Sequence, residues 1–305
     1  MMSISIITQV SVLFILLSVG FICRKTNIIT DDLIKGLSNI IINVCLPALI
    51  ITSLNYKFDK GLFKNTLILL IVSFFIYIAL LIIGYIFTKV LHIKNPKKGV
   101  YIFLLVFSNV GFMGFPIINI VYGNIGIFYS SFILLWFNLL LWTVGIILVN
   151  PKDKFKLKSV INPGIISLCI GLVIFIFSLK ITKPIYLSLK SLANITTPLA
   201  MMVVGALLGS VKLKSLFKNL KLLTFVLLKL LIIPLLLVVV LKLFIIPDII
   251  IGILVIIFSM PSAVNASIFS RRYDSDYILA SKGVFLTTLF SIVTIPLIIY
   301  ILSLI

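Results

Sequence analysis

The chain alternates long, uncharged, apolar stretches with short connections that carry almost all of its charge. Apart from Lys229, the stretches Ser5–Cys23, Gly36–Tyr56, Asn65–Thr88, Gly99–Pro151, Ser159–Leu179, Ser191–Val211, Leu222–Leu241, Ile249–Ser270 and Gly283–Ile305 are free of charge. A bilayer-spanning helix needs about 20 apolar residues, so Gly99–Pro151 is long enough for two, divided by the turn residues Tyr122–Gly126. The pattern predicts an all-α integral membrane protein with ten transmembrane helices and no separate extramembrane domain.

The composition agrees with a membrane protein and excludes a water-soluble one. Of the 305 residues, 62% are apolar and only 11% are charged, and the mean hydropathy is +1.35. Soluble domains carry about 25% charged residues. A soluble fold of this size could not cover its surface with so few charges.

The net charge of +19 predicts a membrane topology rather than a nucleic-acid partner. The cations lie between apolar stretches, where they determine topology and contact lipid headgroups. Most of them fall in the odd-numbered connections, for example Lys89–Lys98, Lys152–Lys158 and Lys212–Lys221. The positive-inside rule places these connections in the cytoplasm and both termini outside. The Ile/Lys-rich composition and short connections indicate a prokaryotic plasma membrane.

An internal repeat relates the two halves of the chain. A shift of 151 residues places Asn43 on Asn194 and Pro47 on Pro198, in the second predicted helix of each half. Each half contains an odd number of crossings, so two head-to-tail copies have opposite orientations in the membrane. Such inverted repeats are typical of secondary transporters. The predicted repeats are residues 1–151 and 152–305.

The fourth predicted helix of each half carries residues that break helices. Phe107–Pro116 and Phe258–Ser267 both concentrate Gly, Ser, Asn and Pro near mid-span. Proline removes a backbone donor, and glycine permits non-helical dihedrals. Broken backbone at membrane depth survives where it lines a cavity or is buried in protein, and half-helix N-termini suit anions. The alternative is a pair of simple kinks, which are common in membrane helices.

Four short motifs occur in order along the chain. They are Asn43–Leu49, Asn109 with Met113–Pro116, Thr197–Ala200, and Met260–Asn265 followed by Phe269, Tyr273 and Asp276. With these motifs the chain resembles the auxin efflux carrier family, permeases related to plant PIN auxin exporters and bacterial malonate carriers. The resemblance implies two inverted five-helix repeats, crossing helices 4 and 9, and an elevator motion of a transport domain against a scaffold domain, each drawn from both halves. It also implies that Asn109 contacts the substrate carboxylate and that Pro116 is the crossover proline. The plant carriers have a proline where this chain has Ala266.

The candidate site residues fall into two groups. The predicted substrate-binding residues are Asn109, Gly111, Gly114, Pro116, Pro261, Ser262, Asn265 and Ser267. The residues predicted to brace the unwound backbone or to couple an ion are Asn43, Pro47, Asn194, Pro198 and Lys229. Lys229 has two interpretations: a functional charge that replaces a coupling cation or holds an anion, or a side chain that snorkels to the headgroups. The eighth predicted helix, Leu222–Leu241, carries this lysine and is not expected to line the point where helices 4 and 9 cross.

These features predict a secondary active transporter of small organic anions, such as mono- or dicarboxylates, with an elevator-type alternating-access mechanism. The alternative is a channel or a receptor-like membrane protein that binds an organic anion. No enzyme is predicted, because one loop histidine, His92, and no acidic residue in a span core supply neither a nucleophile–base set nor metal ligands. No cofactor or metal is expected. Coupling to Na⁺ or H⁺ stays open, and a homodimer would anchor the scaffold domain.

Overall fold

The computed structural model describes residues 2–150, 161–209 and 219–304, and these residues are overwhelmingly helical. The helices are α1 (Met2–Lys25), α2 (Asp31–Ile40), α3 (Leu46–Ser53), α4 (Lys60–Val90), α5 (Lys97–Val106), α6 (Phe115–Leu140), α7 (Ile146–Val149), α8 (Pro163–Ile176), α9 (Lys183–Gly209), α10 (Leu220–Leu227), α11 (Ile233–Lys242), α12 (Asp248–Ser259), α13 (Asn265–Arg272) and α14 (Tyr277–Ser303). The predicted all-α class is confirmed. The lysines of the connections Lys152–Lys158 and Lys212–Lys218 lie outside the described residues.

Six helical segments within the described residues are long and apolar enough to cross a membrane. They are Asp31–Ser53, Lys60–Val90, Val110–Val149, Lys183–Gly209, Leu220–Lys242 and Tyr277–Ser303. Two shorter apolar helices, α8 and α12, accompany them. The long segments expose many large apolar side chains, such as Phe75 of Lys60–Val90 and Val239 of Leu220–Lys242, as expected for a surface in contact with lipid.

Two of the prolines follow π-helical turns. The π-helical turns Ile41–Cys45 and Leu228–Ile232 come directly before α3 and α11, whose first turns contain Pro47 and Pro234. A proline lacks the N–H group of the helical ladder and clashes with the carbonyl four residues earlier. A widened turn relieves that clash without ending the helix.

The predicted division of the longest apolar stretch lies at Gly123. This residue has φ 61° and ψ −151°, inside the helical run Phe115–Leu140. Glycine adopts a positive φ without the steric cost of a Cβ atom. The backbone therefore changes direction within Tyr122–Gly126, where the turn residues predict it.

The chain forms two compact units, each built from segments before and after residue 151. Unit 1 comprises Met1–Leu70, Gly111–Leu135 and Ile161–Ser210. Unit 2 comprises Ile71–Val110, Trp136–Val160 and Val211–Ile305. The helices α1, α2, α3, α8 and α9 belong to unit 1, and α5 and α10 to α14 belong to unit 2.

Close backbone packing holds unit 1 together. Gly20 on α1 lies against the backbone of Met202, and Gly205 on α9 lies against the carbonyl of Leu17. A Cβ atom at either glycine would overlap the neighbouring backbone. Small residues at such interfaces let helix backbones approach in the absence of a hydrophobic drive between apolar helices.

Unit 2 has a dense apolar core around α12. Residues Ile250–Ser259 are all buried, so α12 is apolar on every side, as expected for a helix enclosed by protein. Its Phe258 packs edge-on against Tyr77 of α4, with ring centroids 5.0 Å apart. This burial fixes the end of α12, where the helix breaks.

Candidate functional site

Both predicted helix breaks are present. Helix α5 ends at Val106, Phe107 is extended with φ −93° and ψ 98°, and a π-helical turn begins at Val110. Helix α12 ends at Ser259, Met260 is extended with φ −62° and ψ 149°, and α13 begins at Asn265. Each break therefore leaves a short extended segment between two helical pieces.

The two extended segments pair with each other in an antiparallel manner. Ser108 and Ser262 form the bridge between them. The backbone N–H of Asn109 donates to the Pro261 carbonyl over 2.7 Å, and the N–H of Ala263 donates to the Phe107 carbonyl over 2.8 Å. Each break thus satisfies backbone groups that the other has lost, as unwound backbone at membrane depth requires. We call residues 107–109 and 260–264 the crossover.

Hydroxyl groups tie the crossover to neighbouring helices. The Ser262 hydroxyl donates to the Leu104 carbonyl over 2.7 Å. The Ser262 backbone N–H donates to the Thr287 hydroxyl of α14 over 3.1 Å. Both groups of Ser262 are therefore paired, so this residue holds the segment in place rather than offering a free group to a ligand.

Lys229 reaches the crossover from its π-helical turn. Its ammonium donates to the Leu105 carbonyl over 2.8 Å and to the Ser108 hydroxyl over 3.1 Å, and the residue is only 1% exposed. The sequence predicts that the apolar stretch Leu222–Leu241, which carries Lys229, stays away from the crossover. That expectation is wrong, and so is the interpretation that Lys229 snorkels to the headgroups. The cause is electrostatic, because the carbonyls at the C-terminal end of α5 carry partial negative charge and attract a cation.

No carboxylate neutralises Lys229 within residues 2–150, 161–209 and 219–304. The ion pairs of this part of the chain are Arg24–Asp31, Lys35–Asp32 and Lys242–Asp248, all in connections or at helix ends. The same residues contain no group of three or more His, Cys, Asp or Glu side chains that could hold a metal ion. Lys229 is thus a buried lysine whose observed partners are a backbone carbonyl and a hydroxyl.

Asn109 carries a buried donor for which the described residues supply no acceptor. The residue is 4% exposed, and its backbone N–H is used in the crossover. Its side-chain amide nitrogen has no hydrogen-bond partner within the described residues. A buried unpaired donor costs about 1–3 kcal/mol, so this amide is suited to an acceptor from outside the described residues.

The second break offers further free donors next to Asn109's partner Pro261. Asn265 begins α13 and is half-buried, as is Ser267. Within the described residues, the backbone N–H groups of Val264 and Asn265 make no hydrogen bond. Free N–H groups at the start of a helix, together with its dipole, favour an anion.

The predicted substrate-binding residues divide between the two units. Asn109, Pro261 and Ser262 come together in the crossover, and Asn265 and Ser267 follow in α13. The remaining three, Gly111, Gly114 and Pro116, belong to unit 1 and lie in or directly after the π-helical turn Val110–Gly114. Of these, Gly111 contacts Leu46 of the same unit.

The predicted bracing residues belong to unit 1, apart from Lys229. Asn43 is exposed, and its amide nitrogen donates to the Asn39 carbonyl over 2.8 Å. This contact corrects the prediction that Asn43 supports the unwound backbone from the side, because the carbonyl that it serves belongs to its own helix. That carbonyl lies next to the π-helical turn before Pro47. Asn194 is exposed on α9, four residues before Pro198.

Comparison with known proteins assigns the chain to a family. The model of a family described as membrane transport protein matches residues 5–157 and 149–299. The chain belongs to this family. This confirms the resemblance to the auxin efflux carriers that the motifs indicated. An uncharacterized transporter of Methanocaldococcus jannaschii is 28% identical over 298 residues, which cover 94% of this chain and 96% of the relative. An uncharacterized transporter of Methanothermobacter thermautotrophicus is 25% identical over 294 residues, covering 95% and 96%.

Two residues with roles at this membrane transport protein's crossover, Thr287 beside it and Ser108 within it, were missed from the sequence. Thr287 accepts from Ser262, and Ser108 accepts from Lys229. Thr287 lies in an ordinary apolar helix and gives no local signal. Ser108 gave a partial one, because the 151-residue shift places it on Ser259 beside the second break.

Proposed function

We propose that this protein is a secondary active transporter of small organic anions, such as mono- or dicarboxylates. The observation that carries the proposal is the buried, unpaired amide nitrogen of Asn109 within the crossover. An amide N–H matches a carboxylate oxygen in hydrogen-bonding chemistry. A neutral donor binds the anion without a second permanent cation whose tight hold would slow release.

The start of α13 supplies the second part of the substrate site. The free N–H groups of Val264 and Asn265 carry the positive end of a short helix dipole. The side chains of Asn265 and Ser267 add polar groups to the same helix start. A substrate carboxylate therefore accepts from Asn109 and from the beginning of α13.

In this proposal, Lys229 replaces a coupling cation. In transporters with broken helices, half-helix C-termini and unwound carbonyls hold Na⁺. Here the C-terminal carbonyl of Leu105 binds an ammonium instead. The charge is covalently attached, so transport proceeds without Na⁺, and the fixed positive charge offsets the negative charge of the substrate.

The proposed architecture has ten crossings arranged as two inverted five-helix repeats, residues 1–151 and 152–305. The repeated Asn-x-x-x-Pro of Asn43 and Asn194, and the two family matches of about half the chain each, support it. Unit 2 contains the crossover and serves as the transport domain of an elevator, and unit 1 serves as the scaffold, anchored by homodimerisation. Both termini lie outside a prokaryotic plasma membrane, and the protein is not an enzyme.

A thermal-shift screen of organic acids tests this site on purified protein. An acid that binds the folded state raises the melting temperature by an amount that depends on its Kd. We expect Asn109→Ala to weaken binding of the best acid about tenfold or more, since one hydrogen bond to a charged group contributes about 1.5–3 kcal/mol. The melting temperature without acid should stay close to that of the wild type, because the amide nitrogen has no hydrogen-bond partner among the described residues to lose.

Asn43→Ala is the matched control for this screen. It also removes an amide beside an irregular helical segment, but that amide bonds its own helix. We expect unchanged acid affinity in this variant. Equal acid affinities for Asn109→Ala and the wild type would contradict the assignment of the crossover as the substrate site.

A further inference from the structure

Unit 1 contains a polar cavity that none of the predicted roles explains. Its volume is about 280 Å³, close to the lower end of the roughly 300–1,000 Å³ range of small-molecule sites. Helices α3, α6 and α9 supply its walls. The lining residues are Leu49, Thr52, Asn119, Asn124, Tyr186, Lys190, Ala193, Asn194 and Thr197.

The cavity is rich in free donors. Three asparagine side chains, Asn119, Asn124 and Asn194, reach it from two helices. All three asparagines and Lys190 are exposed. Within the described residues, none of the three amides makes a hydrogen bond, and the Lys190 ammonium has neither an ion-pair partner nor a hydrogen bond, so these donors are open to a ligand that enters the cavity. Tyr186 adds a hydroxyl to the lining.

The lining also lacks negative charge. Its nine residues include one lysine and no aspartate or glutamate. A surface lysine alone is explained by anchoring at lipid headgroups. Three amides that line one cavity are not explained in that way, because asparagine has neither a charge nor a long stem with which to reach a headgroup.

We propose that this cavity is a second binding site, for a small carboxylate anion. The Lys190 ammonium supplies the charge, and the amides of Asn119, Asn124 and Asn194 supply directed donors to the carboxylate oxygens. The residues are different from those of the crossover, and all of them belong to unit 1. The choice of a carboxylate as the anion rests on the proposed function.

The position of the lining residues on the chain gives the site its role. Asn124 follows the turn at Gly123, and Lys190 lies in the first third of α9. The predicted topology puts both of these segments on the extracytoplasmic side. The cavity therefore holds the organic anion on that side of the membrane, where a carrier collects or releases its substrate.

Titration calorimetry of the purified full-length protein with acetate, malonate and benzoate tests this site. We expect Lys190→Gln to raise the Kd of the carboxylate that binds the cavity roughly tenfold or more, because a charge-assisted hydrogen bond is lost. Asn119→Asp, which adds a negative charge at nearly constant shape, should abolish the same binding. Lys183→Gln is the matched control, since Lys183 is an exposed lysine of α9 outside the cavity.

The same titrations in an Asn109→Ala background separate this site from the crossover. Binding that survives Asn109→Ala and is lost with Lys190→Gln supports the cavity, even if the crossover proves not to bind acids. Loss with Asn109→Ala alone supports the crossover and contradicts the cavity. Lys190→Gln that behaves like Lys183→Gln with all three acids, or no saturable binding of any of them, would overturn the second site.

Discussion

The buried serines of α6 in unit 1 and the buried polar groups at the crossover of unit 2 find their hydrogen-bond partners in different ways. In unit 1, Ser130 and Ser131 donate over 2.7 Å to carbonyls four residues earlier in their own helix. In unit 2, the bonds from Ser262 to Leu104 and from Lys229 to Leu105 join segments 158 and 124 residues apart in sequence. Ser262 and Lys229 of unit 2 therefore help to determine tertiary structure at the crossover, whereas Ser130 and Ser131 of unit 1 add little beyond local helix geometry.

The difference indicates where each unit can tolerate change. A hydroxyl that bonds its own helix shares a carbonyl that already has a backbone partner, so its loss costs little. A group that bonds unwound backbone is the partner of a carbonyl outside the regular ladder, and its loss leaves that carbonyl unpaired. Unit 1 instead depends on backbone contact between α1 and α9, through Gly20 and Gly205.

The largest effect is expected from Gly205→Ala in unit 1. The added methyl group overlaps the Leu17 carbonyl and forces α1 away from α9. Overpacking of this kind costs about 1–3 kcal/mol or more, so the melting temperature should fall markedly. The measurement is thermal unfolding in detergent.

Gly36→Ala is the control, because a Cβ atom at Gly36 of α2 meets nothing within 4 Å. Alanine is favoured over glycine in a helix by about 0.8–1.0 kcal/mol, so this variant should be slightly stabilised. Equal melting temperatures for the two variants would contradict the close packing of α1 and α9.

The next effect concerns the fixed cation of unit 2. Lys229→Ala removes the ammonium from Leu105 and Ser108, and we expect a loss of about 1.5–3 kcal/mol in unfolding free energy. Na⁺ should restore part of that loss, because the freed carbonyls at the end of α5 resemble the Na⁺ ligands of related architectures. The measurement is thermal stability in sodium chloride and in choline chloride.

The exposed lysine Lys242 at the end of α11 provides the control. Its pair with Asp248 lies at the surface, where such pairs contribute about 0–1 kcal/mol. Lys242→Ala should show a small loss without any response to Na⁺. Equal losses in the two lysine variants, or transport by the wild type that requires Na⁺, would contradict the role of Lys229.

The smallest effect compares two buried serines directly. Ser262→Ala leaves the Leu104 carbonyl without its hydroxyl partner at the crossover and should cost about 1 kcal/mol. Ser131→Ala removes only a bond within its own helix and should change stability by less than about 0.5 kcal/mol. Thermal unfolding of both variants measures the difference, and a larger loss for Ser131→Ala would reverse the comparison of the two units.

The breaks themselves are readable in the sequence, because proline and glycine act locally. Gly123 and the segments around Asn109 and Pro261 lie where the turn and helix-breaking residues indicate. The pairing of Ser108 with Ser262 is a tertiary event that the sequence around either serine does not reveal.

The position of Lys229 could not be predicted from its sequence surroundings. A lysine between leucines has the same local sequence whether it snorkels or turns inward. The choice depends on carbonyls more than 100 residues away in sequence. The cavity of unit 1 could not be predicted from the sequence for the same reason. Asn119 and Lys190 are distant in sequence and line one cavity only because their helices pack together.

Counterflow in proteoliposomes tests the central claim most directly, namely that the protein is a carrier of organic anions. Vesicles that contain wild-type protein are loaded with unlabelled malonate, acetate or benzoate, and trace labelled acid is added outside. The account predicts saturable uptake of at least one of the acids, with transient accumulation driven by the internal acid and weakened by Asn109→Ala. Flux that rises linearly with concentration and shows no accumulation, or the absence of flux for every acid, would contradict it.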